Sequence, residues 1–158
     1  ELLDTGHLII VRSMTKDFAL PGLRLGYALA SRQIISVLNR VKPPWNVSSV
    51  AQAAAAFVLV QDDYIEEGGK KLREAKQFLV AGLRALGLPP LPSQANFFLV
   101  KVGDAVGFRQ ALLTRGINVR DCTSFGLPTY VRLAPRTVDE CQKLLAAMGA
   151  SEVRSHVS

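Results

Sequence analysis

Ser13-Met14-Thr15-Lys16-Asp17-Phe18-Ala19-Leu20-Pro21-Gly22-Leu23-Arg24-Leu25-Gly26-Tyr27 decides how this sequence of 158 residues is read. A lysine stands there between two apolar runs, Leu8-Ile9-Ile10-Val11 ahead of it and Leu23-Arg24-Leu25-Gly26-Tyr27-Ala28-Leu29 behind. The first run is apolar throughout and rich in β-branched residues, which predicts a strand buried on both faces, as in a parallel sheet. Residues 13–21 cannot continue it and read as a loop, and the second run alternates well enough for another strand. Lys16 therefore falls on a loop at the end of a parallel-type strand, where open α/β sheets bind ligands.

The residues around that lysine suggest which ligand. Ser13 and Thr15 place hydroxyls three and one positions before it, and Arg24 places a guanidinium eight positions after it. Together they suit a phosphorylated aldehyde, with Lys16 forming a Schiff base while Ser13, Thr15 and Arg24 hold the phosphate. Partial burial and the neighbouring guanidinium are expected to lower the lysine's proton affinity and favour the nucleophilic free amine.

Working outward, Ser31 caps a predicted helix to about Val41, with Ile34, Ile35, Leu38 and Val41 on one side, and Pro43-Pro44 ends it. Ser48 or Ser49 starts an alanine-rich helix over 51–60, and a longer amphipathic helix spans 64–86, weakened by Gly68-Gly69 and stopped by Gly87. Residues 88–93, with three prolines, form the most evident boundary. Beyond it come strand 96–102, helix 104–115, strand 117–120, loop 123–128, strand 130–134 and helix 138–148, an α+β or α/β unit of its own.

This last unit holds a second constellation, Gly116-Ile117-Asn118-Val119-Arg120-Asp121-Cys122-Thr123-Ser124-Phe125-Gly126-Leu127-Pro128-Thr129-Tyr130-Val131-Arg132-Leu133-Ala134. Arg120 and Arg132 lie at strand ends on either side of a Gly/Pro-containing loop, so both can point at one cleft. Planar guanidinium groups pair bidentately with carboxylates and bind phosphates well. Asn96, in Pro92-Ser93-Gln94-Ala95-Asn96-Phe97-Phe98, faces the cleft mouth or caps a turn. Cys122 reads as a small buried residue.

Composition narrows the classes. With 49% hydrophobic residues the chain can build a core, and its longest apolar stretch is far short of the roughly 20 residues a membrane span needs. Two cysteines and two histidines give neither a disulfide framework nor a metal site. The net charge of +6 is spread without a basic block, which suits small anions held singly and disfavours nucleic acid.

The joint pattern resembles the lysine motif of class I/II aminotransferases of the fold-type I superfamily, Ser-x-[Ser/Thr]-Lys followed by Gly-x-Arg-x-Gly. Ser13, Thr15, Lys16, Gly22, Arg24, Gly26 and Tyr27 fall in its register. The resemblance runs from about residue 8 to 149 and matches the C-terminal part of the family's length, so the chain reads as one entered partway through. It implies an α/β fold: 1–60 as the C-terminal piece of the cofactor-binding large domain, 61–149 as a linking helix and small α+β domain, and 150–158 as a frayed tail. Pyridoxal 5'-phosphate is the implied cofactor, with Lys16 catalytic and Ser13, Thr15 and Arg24 on the phosphate.

In the same resemblance Arg132 grips a substrate carboxylate. Arg120 reaches a distal phosphate in the histidinol-phosphate aminotransferase and threonine-phosphate decarboxylase branch, and Asn96 contacts substrate. The family's N-terminal portion supplies the aspartate at the pyridine nitrogen and the ring-stacking aromatic, so catalysis is expected only of a longer protein. The implied activity is histidinol-phosphate-type transamination on small molecules by a cytoplasmic homodimer. The alternatives are a threonine-phosphate decarboxylase of cobalamin biosynthesis and a non-catalytic fragment of the fold.

Overall fold

The computed structural model describes residues 2–157, which divide into two compact units, 2–66 and 67–157. In the first, β1 (Ile9–Ser13) and β2 (Gly26–Ala30) pair antiparallel, with Ile9 opposite Ala30 and Ser13 opposite Gly26. The expectation was a strand of a parallel sheet; among the described residues its one partner, β2, runs antiparallel. An apolar run carries no information about direction, and the connection between these strands simply doubles back to make a two-stranded ribbon. Every residue of β1 is exposed, Val11 by 76%.

The connection holds more structure than a loop. Ser13 caps a short helix, α1 (Met14–Asp17), its Oγ accepting from the Thr15 amide at 3.4 Å. A 3₁₀ turn, Pro21–Leu23, follows, and Arg24 then takes a left-handed conformation with φ 49°. That reversal is why β2 begins at Gly26 and not at Leu23. The Met14 amide donates to the Leu25 carbonyl at 3.1 Å, extending the ladder one step past Ser13 and Gly26. Buried Met14, Leu25 and Ala51 anchor the connection, with Phe18, Leu23 and Val47 packed around them.

Helix α2 (Arg32–Val41) starts at Ser31, whose Oγ accepts from the Ile34 amide. Helix α3 (Ser49–Val58) starts at Ser48, whose Oγ accepts from the Ala51 amide at 3.2 Å. Helix α4 (Asp62–Ala85) follows, and Gly87, with φ 72°, stops it.

In the second unit, β3 (Phe98–Lys101), β4 (Arg120–Cys122) and β5 (Leu127–Leu133) form an antiparallel sheet of order β3-β5-β4. The unit is thus α+β. Helices α5 (Ala105–Leu113) and α6 (Val138–Met148) carry side-chain caps: Asp104 accepts from the Gly107 amide, and Thr137 and Glu140 form a capping box. Leu79 and Leu83 of α4, Phe98 and Val100 of β3, and Phe108 and Leu112 of α5 meet Val131 and Leu133 of β5 in one core. Residues 88–93, expected as a boundary, lie inside this unit: Leu88 is buried and the Leu91 amide donates to the Leu99 carbonyl at 2.9 Å.

The C-terminal segment differs from the frayed tail expected. Helix α7 (Ser151–Arg154) buries Val153 completely. Arg154 donates to the Leu86 carbonyl at 2.8 Å, Glu152 pairs with Arg115, and the Asp104 amide donates to the His156 carbonyl. Two valines four residues apart, Val153 and Val157, are too few to read as an amphipathic helix, so their anchoring role is invisible until the core around them exists.

Candidate functional site

The lysine connection of the first unit holds three of the expected residues within one turn. Ser13 and Thr15 hydrogen-bond through their hydroxyls at 2.8 Å, and Lys16 follows directly on α1. The ladder extension at Met14 and Leu25 brings the two ends of the connection together, so α1 and the turn ending at Arg24 emerge from the same end of the ribbon. Lys16 and Arg24 are both exposed, where partial burial of the lysine was expected. The apolar side chains of this end, Met14 and Leu25, are covered by Val47 and Ala51, while the two cationic side chains stay in the open.

Charge around the lysine is arranged by a residue the motif does not include. Arg12 pairs with Asp17 at 2.6 Å, and this hydrogen bond and its charge keep the Arg12 guanidinium more firmly protonated than usual. The carboxylate next to Lys16 in sequence is thereby engaged by Arg12. Among the described residues neither Lys16 nor Arg24 has a carboxylate partner. Two hydroxyls and two cations without a counter-ion fit a phosphate-bearing aldehyde: hydroxyls and guanidinium for the phosphate, primary amine for the carbonyl carbon.

In the second unit, alternation along β5 buries Val131 and Leu133 and turns Arg132 to the opposite face. Arg120 of β4 lies directly opposite Arg132, and Leu99 of β3 opposite it on the other side. Each guanidinium rests on an aromatic ring, Arg132 5.2 Å from the Phe97 centroid and Arg120 5.3 Å from that of Phe125. Arg120 also donates to the Ser124 hydroxyl at 2.8 Å. Both arginines line a cleft of about 480 Å³ that continues to Arg136, Glu140 and Lys143. Glu140 is already engaged by Thr137 and Arg136, which hold its carboxyl below the usual range, the Thr137 amide most strongly, so the cleft presents mainly cationic groups.

Asn96 is exposed beside Phe97, and the turn there is capped by Ser93 instead. Cys122 is buried as expected, and burial pushes its thiol up, away from the reactive thiolate. Sequence reasoning passed over Phe97 and Phe125, although both stand inside the quoted motifs. An aromatic residue reads as core unless the arginine stacked on it is known. Among the described residues no cluster of three metal-ligating side chains occurs, and no helix is long and apolar enough to cross a membrane.

The family model for aminotransferases of class I and II matches residues 1–148. The chain belongs to this family. Histidinol-phosphate aminotransferase 1 of Dechloromonas aromatica is 36% identical over 145 residues, covering 92% of this chain and 40% of that one. The structure of histidinol-phosphate aminotransferase from Sinorhizobium meliloti in complex with pyridoxal-5'-phosphate superposes with a TM-score of 0.79 at 27% identity, over 97% of this chain and 43% of that one. L-threonine-O-3-phosphate decarboxylase from Porphyromonas gingivalis gives 0.77 at 28% identity, over 90% and 46%. The chain thus spans about 40% of the length of the curated relatives it matches.

Proposed function

We propose that this chain supplies the cofactor lysine and the anion-binding arginines of a pyridoxal-phosphate-dependent aminotransferase of the histidinol-phosphate type. The observation that carries the reading is the direct opposition of Arg120 and Arg132 on one face of the sheet. Amino transfer of this type must accept two kinds of anion in turn. Histidinol phosphate brings a phosphate and no carboxylate, whereas a dicarboxylic amino acid or 2-oxo acid brings two carboxylates. Two neighbouring guanidiniums, each offering a planar fork of donors, serve both.

Ser13, Thr15 and Arg24 would hold the cofactor's phosphate, and Lys16 its aldehyde carbon. The cofactor, when bound, supplies an electron-poor ring that stabilises negative charge at the substrate α-carbon. Lys16 Nζ would take the α-proton as general base and return it as general acid. Arg132 orients the carboxylate, and Arg120 selects a phosphate-bearing side chain. The Ser13–Thr15 hydroxyl pair, and the lack of a carboxylate partner at Lys16 and Arg24 among the described residues, support this assignment.

Cytoplasmic residence is supported by the free thiols of Cys122 and Cys141. The family resemblance also implies a homodimer. The test is product analysis on the intact, cofactor-loaded protein. Histidinol phosphate with 2-oxoglutarate is expected to give glutamate. Release of carbon dioxide from threonine phosphate, without amino transfer, would replace this reading with the decarboxylase.

A further inference from the structure

Residues 93–97 link the proline-containing stretch to β3 and take part in no backbone ladder of their own. A single side chain from α4 holds them. The Lys76 ammonium donates to the Ser93 carbonyl at 2.8 Å and to the Ala95 carbonyl at 2.7 Å. Within the turn, Ser93 Oγ donates to the Phe97 carbonyl at 2.6 Å and accepts from the Ala95 amide at 3.2 Å. Lys76 has no carboxylate partner among the described residues, so its charge is spent on these two carbonyls. At the end of the turn stands Phe97, whose ring lies against the Arg132 guanidinium.

We propose that Lys76 is a positioning residue for Arg132, acting through the turn and the Phe97 ring. A guanidinium laid on an aromatic face loses rotational freedom while all its N–H groups stay in its own plane, free to be donated edge-on. The ring therefore holds the fork in the posture that a carboxylate needs, and Lys76 fixes the ring. Preorganisation of this kind raises affinity by lowering the ordering cost of binding. The effect on substrate rests on the reading, given above, that Arg132 holds a carboxylate. That contact is made in ground state and transition state alike, so its loss appears in KM and leaves kcat nearly unchanged.

The experiment uses the intact protein with selectively ¹⁵N-labelled arginine and follows the Arg132 Nε–H signal, assigned by its loss in Arg132→Lys. Over an aromatic face that proton is displaced by the ring current. Phe97→Leu is expected to return it to the ordinary arginine position, Lys76→Met to move it toward that position, and Lys76→Arg to restore it in part. Ser93→Ala breaks the same turn from within and provides an independent arm should Lys76→Met fold poorly. Alongside, Lys76→Met is expected to raise the KM for the carboxylate substrate on the order of tenfold with kcat within about twofold. An Arg132 signal unmoved in both Lys76→Met and Ser93→Ala overturns the proposal. A signal that moves while KM stays put leaves the clamp standing and removes the carboxylate role from Arg132.

Discussion

Arg120 and Arg132 face each other directly across β4 and β5, two like charges at one register position of an antiparallel pair. Such pairs oppose folding. Here each guanidinium gains a ring contact, worth about 0.5–1 kcal/mol at an exposed site, so the two effects nearly cancel. Arg120→Gln is therefore expected to change stability by less than about 0.5 kcal/mol in denaturant unfolding. The same substitution should lower kcat/KM for a phosphate-bearing substrate by roughly 10- to 150-fold, the worth of a charged hydrogen bond. A large stability loss with unchanged kinetics would make this arginine structural.

Gly26 closes the lysine connection against Ser13. A Cβ there would meet the Arg12 carbonyl oxygen at 2.7 Å, and this obstacle is backbone and cannot swing aside. Gly26→Ala should cost about 1–3 kcal/mol, as overpacking does, and weaken cofactor affinity by displacing Ser13 and α1. Thermal unfolding and cofactor titration check this together, and an unaffected cofactor affinity would show that the ribbon does not set the lysine's place.

The lysine connection was legible because its residue types are spaced along one continuous segment, and a local spacing survives whatever the rest of the fold does. Helix starts were legible for a similar reason: Ser31 and Ser48 cap the helices that follow them. The direction of β1 was not legible, since hydrophobicity records which residues suit burial and says nothing about the neighbouring strand. Likewise the docking of Val153 and the stacking of Phe97 on Arg132 depend on contacts between residues far apart in sequence.

The C-terminal segment carries a pH signature. Asp104 is held below the usual carboxylate range, first by the Gly107 amide and then by His156, whose Nδ1 lies 3.2 Å away. A carboxylate whose folded pKa is depressed contributes stability that is present above its unfolded value, near 4, and lost as pH falls through the folded one. Asp104→Asn should therefore lower the Tm at pH 7, with a gap from the parent protein that narrows below about pH 4. A gap as wide at pH 3 as at pH 7 would assign the effect to something other than the charge.

Leu79 of α4 is completely buried against the sheet of the second unit. Leu79→Ala should destabilise by about 2–5 kcal/mol through lost burial and the cavity left behind. Equilibrium unfolding checks the magnitude, and a loss under 1 kcal/mol would mean that α4 packs differently in solution.

The amine at position 16 is the point on which the chemistry turns. The intact protein, loaded with pyridoxal phosphate and reduced with borohydride, should yield a single labelled peptide on digestion, with the reduced cofactor fixed to Lys16. Mass spectrometry reads the position directly. Label on a different lysine, or none under conditions where the cofactor is retained, would contradict the assignment of this loop as the cofactor site.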